Sequence, residues 1–261
     1  MVDEPPKIHN TPHLAKRDSP PRRWLRVLLV CGVLAVGYWI VVRIWLAPAD
    51  ARRHLETQLM ALDLPAVARN PAVFEFAVAR GRAAFKENCA SCHGPAGQGA
   101  PGVPNLTDSD WLWGGTFSAI EQTITHGIRN EDRAGRFSEM PAFLRDGLLT
   151  AAQVDDVVEY VLLLSGQKAD AEAAKRGAQV FSENCANCHS PDGKGDPSIG
   201  APNLTDSIWL YGGDRASLRQ TVSTARNSSM PSWSGRLPPA TIRALAVYVH
   251  NLGGGQPEAG P

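Results

Sequence analysis

The chain has no excess of charge of either sign: Lys and Arg together number 26, and Asp and Glu together number 26. That balance leaves no basic footprint for nucleic acid. Methionine is scarce, four residues in 261 counting Met1, so a pattern among the methionine positions carries weight. Sustained alternation of apolar and polar residues is missing, which removes a half-buried sheet as the organising element. No nucleophile–base constellation of the kind used in covalent catalysis can be read. Long apolar runs are missing too, with one exception near the N-terminus. The rest is ordinary for a globular protein, 43% hydrophobic and 20% charged.

The exception runs from Trp24 to Ala47 and holds sixteen uncharged residues between Arg26 and Arg43. As a helix those sixteen cover about 24 Å, short of a hydrocarbon core of about 30 Å. Snorkelling arginines and the interfacial residues Trp24, Trp39 and Trp45 make up the difference. The segment 24–47 is therefore expected to be a transmembrane anchor. Ala47-Pro48-Ala49 loosely resembles a signal-peptide cleavage site, but the long leading tail and Arg43 favour a retained helix. Residues 1–23, rich in Pro and basic side chains, read as a disordered tail. Lys16, Arg17, Arg22, Arg23 and Arg26 precede the span, so the positive-inside rule puts that tail in the cytoplasm. Everything after residue 47 then lies on the periplasmic side of a bacterial inner membrane, in a single-pass topology.

Residues 48–75 read as a short helix and a linker broken at Pro65 and Pro71. The remainder is an internal repeat. Gly81-Arg-Ala-Ala-Phe85-Lys-Glu-Asn-Cys89 matches Gly177-Ala-Gln-Val-Phe181-Ser-Glu-Asn-Cys185. Pro104-Asn-Leu-Thr-Asp108 matches Pro202-Asn-Leu-Thr-Asp206, Trp111-Leu-Trp-Gly-Gly115 matches Trp209-Leu-Tyr-Gly-Gly213, and Met140-Pro141 matches Met230-Pro231. Two domains follow, 76–167 and 168–255, with 256–261 as a tail. Both are read as helical, with helices at 76–88 and 172–184 entering the cysteine motifs. Closing helices are expected from Thr150 to Leu164, behind a Thr150–Gln153 capping box, and over Ala240–Leu252.

Four of the five cysteines form Cys89-x-x-Cys92-His93 and Cys185-x-x-Cys188-His189, the attachment signature of haem c. The thiols form thioethers to the haem vinyl groups, and the adjacent histidine ligates iron. Zinc would want four Cys/His ligands per site, and a redox CxxC has no need of the histidine. Cys31, in the apolar run, reads as inert packing. Two covalently bound haems c are thus expected.

For the distal position, Met140 and Met230 fall at matched places 47 and 41 residues after His93 and His189. Met140 is therefore expected on the first iron and Met230 on the second, each within its own copy. A distal Met raises the potential compared with a second His. His126 is an alternative ligand at the first iron; the aligned residue of the second copy is Thr224. Asn105, Asn203, Trp113, Tyr211, Arg129 and Arg226 are candidates to surround the haems and their propionates. Closed His/Met sites imply electron transfer, not chemistry at the iron. Residues 80–165 hold seven basic and eleven acidic side chains, a polarity that favours a basic partner.

Together the Phe-x-Glu-Asn-Cys-Ala-x-Cys-His repeats, Pro-Asn-Leu-Thr-Asp, Trp111-Leu-Trp-Gly-Gly, Thr125-His-Gly-Ile-Arg129, Glu139-Met-Pro-Ala-Phe143 and Ala246-Val-Tyr-Val-His-Asn-Leu-Gly-Gly resemble subunit III (CcoP/FixP) of cbb3-type cytochrome c oxidases. The resemblance covers about residues 24–255. It implies a mainly α protein: one transmembrane helix followed by two tandem class I cytochrome c domains. It implies haem ligation by His93, Met140, His189 and Met230. It further implies electron delivery from a periplasmic cytochrome c or the cytochrome bc complex to a monohaem cytochrome c subunit. From there electrons reach a haem–copper subunit, which reduces dioxygen. This chain departs from the family before its span, at Pro20-Pro-Arg-Arg-Trp24, and at Thr224-Ala-Arg226, where a His-Gly-Arg is common. The competing readings are a free-standing membrane-anchored dihaem cytochrome serving another enzyme, and a dihaem peroxidase, which needs an openable site.

Overall fold

The computed structural model describes residues 22–258. Among them it is helical, with isolated β-bridges and no strands. The expected tail 1–23 lies almost wholly outside the described residues.

Two compact units divide at Arg53/His54. The first holds α1 (Arg22–Val41), a π-helical turn (Val42–Leu46) and the start of α2 (Ala47–Ala61), whose later residues belong to the second. From Trp24 to Ala61 this is one helical run, long and apolar enough to cross a membrane, and none of its apolar stretch is buried in protein. Leu28, Leu29, Leu34 and Tyr38 are all exposed, the pattern of a helix whose solvent is lipid.

The second unit, from His54 onward, contains both cysteine motifs. Its elements are α3 (Leu64–Arg69), α4 (Pro71–Asn88), α5 (Ala90–His93), α6 (Phe117–His126), α7 (Ala151–Leu164), α8 (Ala171–Asn184), α9 (Ala186–His189), α10 (Arg215–Thr224) and α11 (Pro239–His250). The prolines read as linker breaks are helix starts. Asn70 caps α4 by accepting from the Val73 N–H, with Pro71 in the first turn, and Asp63 does the same for α3 before Pro65. Within the segment read as a short helix and linker, Leu59, Val67 and Val73 are fully buried in a cluster with Phe117, Ala244 and Val247. The Thr150–Gln153 capping box forms as expected, with both reciprocal bonds present.

The two copies do not fold as consecutive beads. The closing helix of the first copy, α7, packs on α8 and α10 of the second. Val154, Val157, Val158, Val161 and Leu162 share a core with Val180, Phe181 and Leu218. The closing helix of the second copy, α11, packs on α4 and α6 of the first. Ile242, Leu245, Ala246 and Val249 share a core with Ala84, Phe85, Ile120 and Ile124. Each crossing is seated on a glycine. A Cβ on Gly81 would overlap the Ala244 carbonyl, and one on Gly177 would overlap the Asp156 carbonyl. Tilted aromatic pairs sit beside each crossing, Phe85–Tyr248 at 5.5 Å and Tyr160–Phe181 at 5.2 Å between centroids. The units bounded as 76–167 and 168–255 in sequence thus exchange their closing helices in space.

Candidate haem centres

Each attachment segment starts where a helix ends. Cys89 closes α4 and opens the four-residue α5, and Cys185 does the same for α8 and α9. Backbone N–H groups of His93 and His189 donate to the Cys89 and Cys185 carbonyls, both at 2.9 Å. One tight turn therefore holds both thiols and the imidazole of each motif. The loops beyond are matched bond for bond: Gly99 N–H to His93 O and Gly195 N–H to His189 O, both 2.8 Å.

The proximal histidines are oriented from behind. His93 Nδ1 lies 3.1 Å from the Pro104 carbonyl, and His189 Nδ1 lies 3.0 Å from the Pro202 carbonyl. A carbonyl only accepts, so Nδ1 carries the proton and Nε2 keeps its lone pair for a metal. Burial lowers both imidazole pKa values, partly opposed by those carbonyl bonds, which keeps the rings neutral as ligation requires. Burial, and secondly the neighbouring Cys92 and Cys188, push the Cys89 and Cys185 thiols up to about 11. Among the described residues no group of three or more His, Cys, Asp or Glu side chains is arranged to hold a metal ion by itself. These features fit covalent haem with an axial histidine.

The methionines do not sit with the histidines of their own copy. Met230 packs against the core holding Cys89, Ala90, Leu106 and Trp111. Its backbone exchanges bonds with Ile128, N–H to O at 2.9 and 3.0 Å. Met140 packs against the core holding Cys185, Ala186, Leu204 and Trp209. The chain after each methionine keeps to the same side: Phe143 N–H donates to Val222 O, while Trp233 N–H donates to Ile124 O. Each methionine thus lies beside the attachment motif of the opposite copy and not that of its own. The physical reason is that each Met loop leads into a closing helix already committed to the opposite copy.

His126 ends α6, and its Nδ1 lies 3.0 Å from Asp132 Oδ2. Of the other surrounding residues, Asn105 and Asn203 use their side-chain oxygens to cap Thr107 and Thr205 within their own loops. Trp113 is buried beneath the Arg136 guanidinium at 5.3 Å, and a Cβ on Gly200 would overlap its ring. Tyr211 lies under Arg226 at 4.7 Å, and its hydroxyl bonds Ser228. Arg129 donates to the carbonyls of Ser228 (2.6 Å) and Ser138 (2.9 Å), stitching the two Met-bearing loops together. Sequence reasoning missed Arg136, which joins Trp113 to α6 within the first copy, and Ser228, whose bonds to Arg129 and the Gly102 carbonyl run between the copies. A cavity of about 450 Å³ opens between the two attachment loops, lined by Val103, Pro104 and Asn105 on one side and Pro202, Trp209 and Tyr211 on the other.

Comparison with known proteins covers both attachment segments. Residues 78–165 match the family model for cytochrome c, and residues 172–249 match that for cytochrome c oxidase, cbb3-type, subunit III. The chain is 46% identical to the cbb3-type cytochrome c oxidase subunit CcoP of Cereibacter sphaeroides, over 97% of this chain and 96% of that protein. It is 43% identical to the FixP subunit of Azorhizobium caulinodans, over 95% and 92% of the two chains. It belongs to the CcoP/FixP family. CcoP/FixP membership makes this chain a cytochrome c subunit of a cbb3-type oxidase, with covalent haem c in its cytochrome c domains and a candidate membrane helix ahead of them.

Proposed function

We propose that the chain carries two haems c, one on Cys89 and Cys92 with His93, the other on Cys185 and Cys188 with His189. Distal ligation is crossed: Met230 serves the first iron and Met140 the second. Bound haem supplies a one-electron ferric/ferrous couple, and a Met distal ligand sets it higher than a second His would. The protein's part is to bind and orient. The Pro104 and Pro202 carbonyls fix the imidazole tautomers, the buried cores exclude water, and the interlocked copies hold both centres in one compact unit. That interlocking is the observation that carries the reading, because two centres fixed against each other suit a relay.

Electrons enter from a periplasmic cytochrome c or the cytochrome bc complex. They leave to the monohaem subunit and then to the haem–copper subunit that reduces dioxygen. Residues 24–47 anchor the chain in the inner membrane, with the N-terminus cytoplasmic and the haem domains periplasmic. Blue-native gels stained for haem should show the chain comigrating with a b-haem and copper oxidase. Migration alone would instead favour a free-standing dihaem cytochrome. Near-infrared magnetic circular dichroism tests the ligands. Met230→Leu and Met140→Leu should each remove about half of the methionine-to-iron signal, one iron in two.

A further inference from the structure

The two methionine loops are held in different ways. Met140 meets the opposite copy through the Asn227 side chain, with long contacts of 3.4 Å to its N–H and 3.3 Å to its carbonyl. Met230 has the two-way backbone bridge to Ile128, and the Asn130 amide donates to its carbonyl at 2.7 Å. The same amide reaches the His126 carbonyl at 2.9 Å. Two residues past Met230, the Ser232 hydroxyl lies 2.9 Å from the Thr125 carbonyl and 3.1 Å from Asp132 Oδ2. That carboxylate oxygen is the one that accepts from His126 Nδ1. Asp132 is fixed in turn by its own N–H on Asn130 Oδ1 at 2.7 Å and by the Ala134 N–H on its Oδ1 at 2.9 Å. The bond from His126 holds the Asp132 carboxyl below the usual carboxylate range, which keeps it an acceptor.

We propose that His126 and Asp132 are positioning residues that clamp the Met230 loop of the second copy onto the first haem centre through Ser232 and Asn130. This rests on the crossed distal ligation proposed above. His126 serves through Nδ1, as a hydrogen-bond donor to the loop. The second centre lacks the device, because Thr224 occupies the matching helix end, so the two irons have distal methionines of unequal rigidity. A distal Met free to leave its iron lowers both the Met–iron signal and the potential.

The test uses the full-length, haem-loaded chain in its membrane complex. The readouts are the near-infrared methionine-to-ferric-iron band and a redox titration resolving both haems. His126→Ala and Asp132→Ala should each reduce the band, at most by about half, since only one of two irons is affected. Each should lower the potential of the haem that Met230→Leu also changes. The double variant should lose no more than the stronger single one, because both act through one network. His126→Asn, whose amide nitrogen takes the place of Nδ1, should retain the signal. Thr224→Ala should change neither haem. An unaltered band and potential in both Ala variants would overturn the clamp, as would His126→Asn losing as much as His126→Ala. Failure of the crossed ligation looks different. In a Cys89→Ser/Cys92→Ser chain holding only the second haem, Met230→Leu would then abolish the remaining band whatever residue 126 is.

Discussion

The two attachment motifs are alike around their histidines and unlike around the methionine loops that approach them. Both proximal halves use the same turn, the same imidazole-to-proline-carbonyl bond and the same loop closures, within about 0.1 Å. The methionine sides differ: Met230 has a two-way backbone bridge to Ile128 and the Asn130 amide on its carbonyl, whereas Met140 itself has the longer Asn227 contacts, with Ser138 and Phe143 bonded on either side of it. The helix crossings differ as well. The α7 side carries ion pairs: Arg176–Asp156, Arg219–Asp155, and a mostly buried Glu159 that takes both Arg215 and the Asp170 N–H. On the α11 side the Arg80 guanidinium of α4 donates to the Thr241 hydroxyl, and Arg243 pairs more loosely with Glu121 of α6 at 3.8 Å. After duplication, covalent attachment tolerates little variation because thioethers and an axial His need one local geometry. The methionine loops and helix faces tolerate more, and there the two copies diverge.

The comparison can be broken most severely by cutting the chain. A protein ending at residue 167 contains a whole CxxCH-to-Met repeat but lacks α11, whose Leu245 and Val247 are fully buried. It should fail to give a stable six-coordinate first haem, judged by absorbance and proteolysis. A stable His/Met cytochrome from that fragment would refute the interlocked arrangement.

Smaller changes sharpen it. Gly81→Ala and Gly177→Ala each force a Cβ onto a backbone carbonyl, and overpacking of this kind costs about 1–3 kcal/mol. Matched losses in thermal melts are expected, since each glycine meets a backbone carbonyl of the opposing helix. Glu159→Gln should separate the two sides by destabilising only the α7 crossing, by about 1–3 kcal/mol for a charge-assisted bond lost from a mostly buried group. Arg215 lowers the Glu159 pKa, so that contribution is present above the unfolded carboxylate range and is lost as pH falls. Denaturation at pH 7 and pH 4 should show a smaller mutant effect at the lower pH.

The smallest effect belongs to Asp110, beside the cavity between the attachment loops. Burial, then Asp206 and Asp108, raise its pKa to about 6. A raised carboxyl pKa opposes folding once the group must ionise, so stability falls as pH rises from about 4 to 6. Asp110→Asn should therefore raise the melting temperature at pH 7 and leave it unchanged near pH 3. A gain at both values would show that the carboxylate is not the cause.

Much of the molecule is local and could be read from the chain. The CxxCH motifs, the Thr150–Gln153 cap, the apolar run from Trp24 and the matched methionines each depend on residues a few positions apart. Pro71 was legible too, but as a helix start, because its fixed φ suits a first turn. Which methionine meets which iron is not local. Both copies offer a glycine-seated crossing and a Met loop, so each closing helix fits either partner by pattern. The deciding feature is the connection from Ser165 to Asp170, six residues between α7 and α8. A connection so short keeps its two helices neighbours. Once α7 is spent on α8, α4 is left to α11, and Met230 is carried across with it. Sequence by itself determined the attachment chemistry and the family; tertiary structure decided the pairing, since only packing distinguishes two helices that the repeat makes equivalent.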